Sequence, residues 1–405
     1  MPANRKVKGF FSVDRGAFRC AAAGGLNSAI AYLIMARGTG PDNHTTQWSA
    51  NAIEKYTGIS RPSAKRAVTD LLDRGIWKKT REGKHPIYQA VPGNEIPCGP
   101  FTAVEQEVVA AIRHGEPLPQ GDPIEAFEAL KAKGFIQATG GGGRKQALRV
   151  NEEAVAALAE PVPVWLPNSL VDGAADEVPP IELIRQTRSL PALRLLVEFY
   201  EVQFLPIFGG IPREMLQAEF DRLRVGERGP FIVWGFREKH CIGSYRLARP
   251  FFTGKTELGD DGTRYDEGWD GSFWPAVETL TTLGLVVRVG MLLDGDDPEP
   301  EIIHSYGVNG GEPAERELAR IAHEAAAAMM SDEQLWRAEM EGYPHLVPVQ
   351  KHIAHAALVE VFRLRYRPHT SASAAWYAQM KESTAEWLAR YQAILTDRAN
   401  RQSAA

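Results

Sequence analysis

Cysteine is nearly absent: Cys20, Cys98 and Cys241 are the only three in 405 residues. Odd in number and far apart, they build neither a disulfide framework nor a zinc site, so order must come from a hydrophobic core in a reducing compartment. Long apolar runs are missing as well. The longest, around Ala29 to Ala36, is far too short to span a bilayer, and Met1-Pro2-Ala3-Asn4-Arg5-Lys6 leads into no signal-peptide core. A cytoplasmic chain with no membrane partner is expected.

The patterns of common enzyme and metal sites are also lacking. Gly140-Gly141-Gly142-Gly143-Arg144-Lys145 is followed by Gln146, where a phosphate loop carries Ser or Thr, and by a strand where that loop opens a helix. His352 and His355, spaced to share a helix face with His345 nearby, have only Glu360 as a carboxylate neighbour. Asp294, Asp296, Asp297, Glu299 and Glu301 lack the ligand order of a calcium loop. Asp260, Asp261, Asp266, Glu267 and Asp270 sit in a Gly-rich, solvated loop. No catalysis, cofactor or metal is expected.

What is present is charge asymmetry. The net charge is −5, yet residues 1–85 hold 15 Lys/Arg against 6 Asp/Glu, while the rest holds 31 against 45. A basic contact module attached to an acidic body fits this distribution.

A second feature is a repeated helix stop. Leu71-Leu72-Asp73-Arg74-Gly75-Ile76-Trp77, Leu130-Lys131-Ala132-Lys133-Gly134-Phe135-Ile136 and Leu280-Thr281-Thr282-Leu283-Gly284-Leu285-Val286 each read Leu-x-x-x-Gly-apolar-apolar. A leucine on the last turn, a glycine in the left-handed conformation and an apolar pair opening a strand are how a winged helix passes from its reading helix to its β-wing. In the first copy the preceding helix begins Ile59-Ser60-Arg61-Pro62-Ser63-Ala64-Lys65-Arg66-Ala67-Val68.

The spacing predicts an α+β, mainly helical chain of tandem winged-helix modules and a helical C-terminal tail. The expected parts are a basic DNA-binding module over 1–92, a smaller neutral copy over 100–150, a Pro-rich linker over 151–180, a third copy with an insertion over 181–310, and the tail over 311–405. In the first, helices are expected from Leu26 to Arg37, from Trp48 to Thr57 with Ser49 as cap, and from Ser60 to Gly75. In the third, helices are expected over Pro191 to Phe204, Ile211 to Leu223 and from Trp274, with a strand at Pro230 to Trp234 and a hairpin from Leu285 to Val308. The tail is expected to be helical from Glu312, including Val349 to Tyr366 and Ser373 to Ala399.

Ile59, Ala64, Ala67, Val68 and Leu71 form the inward face of the reading helix. Arg61, Ser63, Lys65 and Arg66 fall outside it, suited to guanine edges and phosphates. Amides near Ser60 can hold a phosphate. Lys78, Lys79, Arg81, Lys84 and His85 lie on or beside the wing, where they supply backbone affinity.

Ile59 through Val68, with Leu71 and Gly75-Ile76, resembles the reading helix of GntR-type transcriptional regulators. The longer run from Leu26 through Thr45-Thr46-Gln47-Trp48-Ser49 is similar to the N-terminal winged helix of phage and plasmid replication initiators. Both resemblances cover about residues 20–90. They imply DNA contacts at Ser60, Arg61, Ser63, Lys65, Arg66, Lys79 and Lys84. The expected function is site-specific binding of double-stranded DNA by a homodimeric regulator of bacterial or mobile-element type. A replication initiator, or a scaffold subunit of a nucleoprotein complex, is the alternative, with the acidic modules meeting a protein partner.

Overall fold

The computed structural model describes residues 9–83, 85–97, 99–118, 123–139, 147–173, 177–204, 206, 210–251, 257–258, 264–265, 272–297, 300–307, 309–367 and 371–403. Lys84, Cys98, the stretch 140–146, Asp260, Asp261, Asp266, Glu267, Asp270 and Glu299, all weighed above, lie outside them. The chain is α+β and divides into two compact units, one of residues 1–201, 245–285 and 366–368, the other of 202–244, 286–365 and 369–405.

The first unit opens with β1 (Phe10–Asp14), α1 (Arg15–Ala23), α2 (Leu26–Arg37), β2 (Thr45–Thr46), α3 (Ala50–Thr57), α4 (Arg61–Asp73), β3 (Trp77–Arg81) and β4 (Ile87–Ala90). It continues through α5 (Ala103–His114), α6 (Pro123–Ala132), β5 (Ile136–Thr139), β6 (Ala147–Val150), α7 (Glu152–Ala159), β7 (Pro163–Pro167), α8 (Ser169–Asp172), α9 (Pro180–Thr187) and α10 (Leu190–Val202). Strands β2, β4 and β3 form an antiparallel sheet in that spatial order.

Helix α1 was not anticipated. Asp14 caps it by accepting from the Ala17 amide at 2.8 Å, and its alanines with Phe18 and Cys20 are buried. Burial raises the Asp14 pKa, against the backbone amides of Ala17 and Gly93 that lower it. The stretch 151–180, read as a linker, carries α7, β7 and α8. Strand β7 pairs antiparallel with β1, Phe11 opposite Leu166 and Val13 opposite Val164, all four side chains buried. Pro163 and Pro167 fall at the ends of this two-stranded sheet, where proline costs no ladder bond.

The second unit begins with β8 (Leu216–Arg228) and β9 (Phe231–Gly243). The chain then returns to the first unit through α11 (Tyr245–Ala248), β10 (Glu257–Leu258), β11 (Arg264–Tyr265) and α12 (Phe273–Thr282). Back in the second unit come β12 (Val286–Leu293), β13 (Ile302–Tyr306), α13 (Pro313–Met329), α14 (Asp332–Met340), β14 (His345–Gln350), β15 (Ala357–Leu364) and α15 (Ser371–Ser403). A curled six-stranded sheet runs in the order β13-β12-β15-β8-β9-β14, each described neighbour pair antiparallel.

Two expected helices are strands. Ile211–Leu223 becomes a turn followed by β8, and Val349–Tyr366 becomes the end of β14, a turn and β15. His352 and His355 therefore lie in a turn and share no helix face. The expected hairpin after Leu285 is present as β12 and β13, and β12 also pairs along its length with β15, which joins the 285–308 region to a sheet that reaches Leu364.

Two-sided burial explains β15: Leu358 packs on the α13 side with Trp234, Val347 and Leu318, while Val359 and Val361 face Trp376 and Met380 of α15. Glu360 and Arg363 are buried in the same strand, Arg363 bonded to Glu315 at 2.7 Å and Glu360 to Asn309 at 2.9 Å. Among the described residues no helix is long and apolar enough to cross a membrane.

Candidate nucleic-acid interface

Helix α4 is amphipathic in the plainest sense. Ala64, Ala67, Val68 and Leu71, at i, i+3, i+4 and i+7, are buried, and Ile59 just before the helix joins them. Arg61, Lys65 and Arg66 are exposed and Ser63 is half-buried on its border. Thr69, four residues after Lys65, is exposed on the same outer face. The i, i+4 spacing from Lys65 marks Thr69 as part of this face in the sequence itself.

Ser60 stands at the cap position, but its hydroxyl meets the Ser63 hydroxyl at 3.2 Å and caps no amide. Pro62, in the first turn, has no amide to satisfy. The start of α4 thus has no side-chain cap, which leaves it suited to an outside acceptor.

The helix stop is as the motif requires. Gly75 has φ +73°, its amide reaches the Leu72 carbonyl at 2.9 Å, and the Ile76 amide reaches Leu71 at 2.9 Å. These two bonds fix the angle at which β3 leaves the helix. Trp77, 1% exposed, then packs on Tyr32 of α2 with ring centroids 6.1 Å apart. Beyond this anchor Lys78, Lys79, Thr80 and Arg81 are all exposed. Tyr88 lies opposite Lys79 in the ladder, buried, and burial pushes its phenol up, with Lys79 opposing.

The cations are lightly held. Arg61 stands 3.8 Å from Glu54, both about half exposed, and Lys79 lies 3.1 Å from the exposed Glu82. Such pairs contribute at most about 1 kcal/mol, so a phosphate can replace the carboxylate. Arg66 donates to Ser63 at 3.1 Å and Arg81 to the His85 carbonyl at 2.9 Å. Lys65 and Lys78 make no ion pair among the described residues.

Behind this face, α3 is fastened by Trp48 stacked on Tyr56 at 4.9 Å, with Arg37 over Trp48 and bonded to Asp172 at 2.6 Å. The structure therefore brings Ser60, Arg61, Ser63, Lys65 and Arg66 together on one helix and Lys78, Lys79 and Arg81 onto the adjoining hairpin. Among the described residues no group of three or more His, Cys, Asp or Glu side chains is arranged to hold a metal.

The second copy has the same kind of stop, Gly134 at φ +73° with the Phe135 amide on Leu130 at 2.8 Å, around a core of Phe101, Val108, Val109 and Leu130. Its Arg113 is paired with Glu152 at 2.6 Å and its Lys133 with Glu105 at 3.1 Å, while Lys131 and Arg149 are exposed. Comparison of the chain with family models, with curated proteins and with solved structures finds no match in any of the three.

Proposed function

We propose that residues about 10–90 are a winged helix that binds double-stranded DNA. Helix α4 enters the major groove and the β3–β4 hairpin lies along the adjacent backbone as the wing. The observation that carries this reading is the single exposed surface made by Arg61, Lys65 and Arg66 on a helix whose opposite face is buried, continued by Lys78, Lys79 and Arg81. The order α2-β2-α3-α4-β3-β4, with β4 between β2 and β3, supports it, since it stacks two helices under a third and ends in a hairpin beside its C-terminus.

The roles divide by chemistry. Arg61 and Arg66 offer planar forks to guanine edges, Lys65 and Ser63 meet base edges or phosphate, and the α4 amides near Ser60 take a phosphate. The hairpin cations neutralise backbone and set affinity more than sequence. The whole is a regulatory protein that binds its site as a homodimer, with the acidic remainder available to a protein partner.

The test is fluorescence anisotropy of the full chain on duplexes selected from a random pool. Binding should fall steeply with salt, the log–log slope gaining about 0.9 for each phosphate neutralised. A complex indifferent to salt, or no selected duplex at all, rejects the reading.

A further inference from the structure

The first unit carries a cavity of about 120 Å³, open to solvent on one side and lined by α1, α5, α7, α10, Pro250 and the residues around Phe135. Its walls are mostly apolar, led by Phe101, Phe135 and Leu158, and three cations reach it. Two of these are answered. Arg19 grips Glu198 with two bonds of 2.8 Å, and Lys133 reaches Glu105 at 3.1 Å. Glu105 is further committed to the Thr102 amide at 2.9 Å, where it completes the capping box of α5.

The third cation is different. Arg194, half-buried on α10, donates to the Pro250 carbonyl at 3.3 Å and lies over the Phe251 ring at 5.1 Å. It makes no ion pair among the described residues, so four of its five N–H donors have no acceptor there. Burial lowers its pKa, with Glu198 and Glu105 opposing and Arg19 adding to the fall. A guanidinium placed beside an apolar cavity with donors to spare is the arrangement that takes a carboxylate two-pronged.

We propose that this cavity binds a small organic monoanion, a carboxylate on an apolar body no larger than one ring or a short branched chain. The carboxylate sits on Arg194 and the body lies against Phe101 and Phe135. A closed, wholly apolar cavity of roughly 150 Å³ accepts benzene; at about 120 Å³ this one is smaller, so it takes at most one ring and leaves the carboxylate at its mouth on Arg194. One positive charge left after the two internal pairs fixes the ligand as a monoanion. The site does not depend on the DNA-binding reading, although α1, which carries Arg19, also packs against α2.

The experiment is isothermal titration calorimetry of the full chain with benzoate and 4-methylpentanoate, each beside its uncharged amide. One acid should bind at a single site with Kd of about 1 mM or tighter, and its amide about tenfold more weakly or worse. Arg194→Gln should erase that preference. Leu158→Trp, on the half-buried face of α7, should fill the cavity and abolish binding of both forms. If either variant fails to fold, the acid-versus-amide comparison on the unaltered chain still decides. Equal affinity for acid and amide, no saturable binding of either acid, or full binding retained in both folded variants overturns the proposal.

Discussion

The Ser28 hydroxyl donates to the Asp70 carboxylate across 2.6 Å, and the other Asp70 oxygen accepts from Arg74 at 3.1 Å. One side chain thus ties the first turn of α2 to the last turns of α4. Ser28 is buried, so removing its acceptor leaves a hydroxyl without its partner. Asp70→Ala should cost about 1–3 kcal/mol, seen as a lower Tm of the full chain. The salt slope of DNA binding should not change, because Asp70 touches no outward cation. An unaltered Tm would show that the bond contributes nothing net.

The two halves of the cationic surface should separate by experiment. Arg61→Ala with Lys65→Ala should abolish discrimination between the selected duplex and a scrambled one, at an unchanged circular dichroism spectrum. Lys78→Ala with Lys79→Ala should weaken both duplexes alike and reduce the salt slope by about 2. Loss of discrimination from the hairpin pair, with none from the helix pair, would reverse the assigned roles.

Gly75 tests the handover between them. An alanine there must hold φ +73°, and its Cβ would stand 3.1 Å from Pro97 Cδ. A left-handed L-residue costs about 1–2 kcal/mol. Gly75→Ala should lower stability by that amount and, by tilting the wing, weaken DNA more than Gly134→Ala does, although both glycines share the same φ. Equal effects of the two on binding would show that the angle at β3 is unimportant.

Acid stability in the second unit should follow His304. Its Nδ1 lies 3.0 Å from the Ser305 carbonyl, which can only accept, so Nδ1 carries the proton; Nε2, 2.9 Å from the Tyr391 hydroxyl, shares that hydroxyl's proton with the Pro348 carbonyl at 3.2 Å. Full burial lowers its pKa from 6.5 to about 4, opposed by the Ser305 carbonyl. Between those two values the unfolded chain binds the extra proton, so the stability from the neutral ring is complete above pH 6.5 and is lost as pH falls towards 4. The loss is on the order of 3 kcal/mol. Urea titrations across this window should show a steeper decline for the unaltered chain than for His304→Gln. Parallel curves would remove His304 as the cause.

What could be read beforehand was whatever short-range chemistry fixes. All three Leu-x-x-x-Gly stops hold, since each needs only five neighbouring residues, and Gly284 at φ +65° with the Leu285 amide on Leu280 at 2.9 Å repeats the geometry of the others. The buried face of α4 follows from a single period. The strands of the second unit were hidden by the same reasoning. Leu216, Phe220 and Leu223 fall at helical spacing, and a proline such as Pro212 is well tolerated in a first helical turn, but β8 is set by pairing with β9 and with the distant β15. In β15 every residue from Leu358 to Leu364 is buried, so the apolar pattern carries no alternation to mark it as a strand. The lining of the cavity in the first unit was invisible for a related reason: Arg19, Lys133 and Arg194 are far apart in sequence, and each alone reads as an ordinary surface cation.

The strand partner of Phe11 and Val13 arrives only at residues 163–167. A fragment cut at residue 92, where the basic region ends, would strip these side chains of their cover and leave an open ladder edge prone to self-association. The basic front of the chain is thus not a detachable cassette: its first strand is closed by chain that lies beyond α5, α6 and the β5–β6 hairpin. A recombinant piece meant to behave as the intact protein does should run past Pro167, and gene shuffling that transplants only the front of this chain should yield insoluble product.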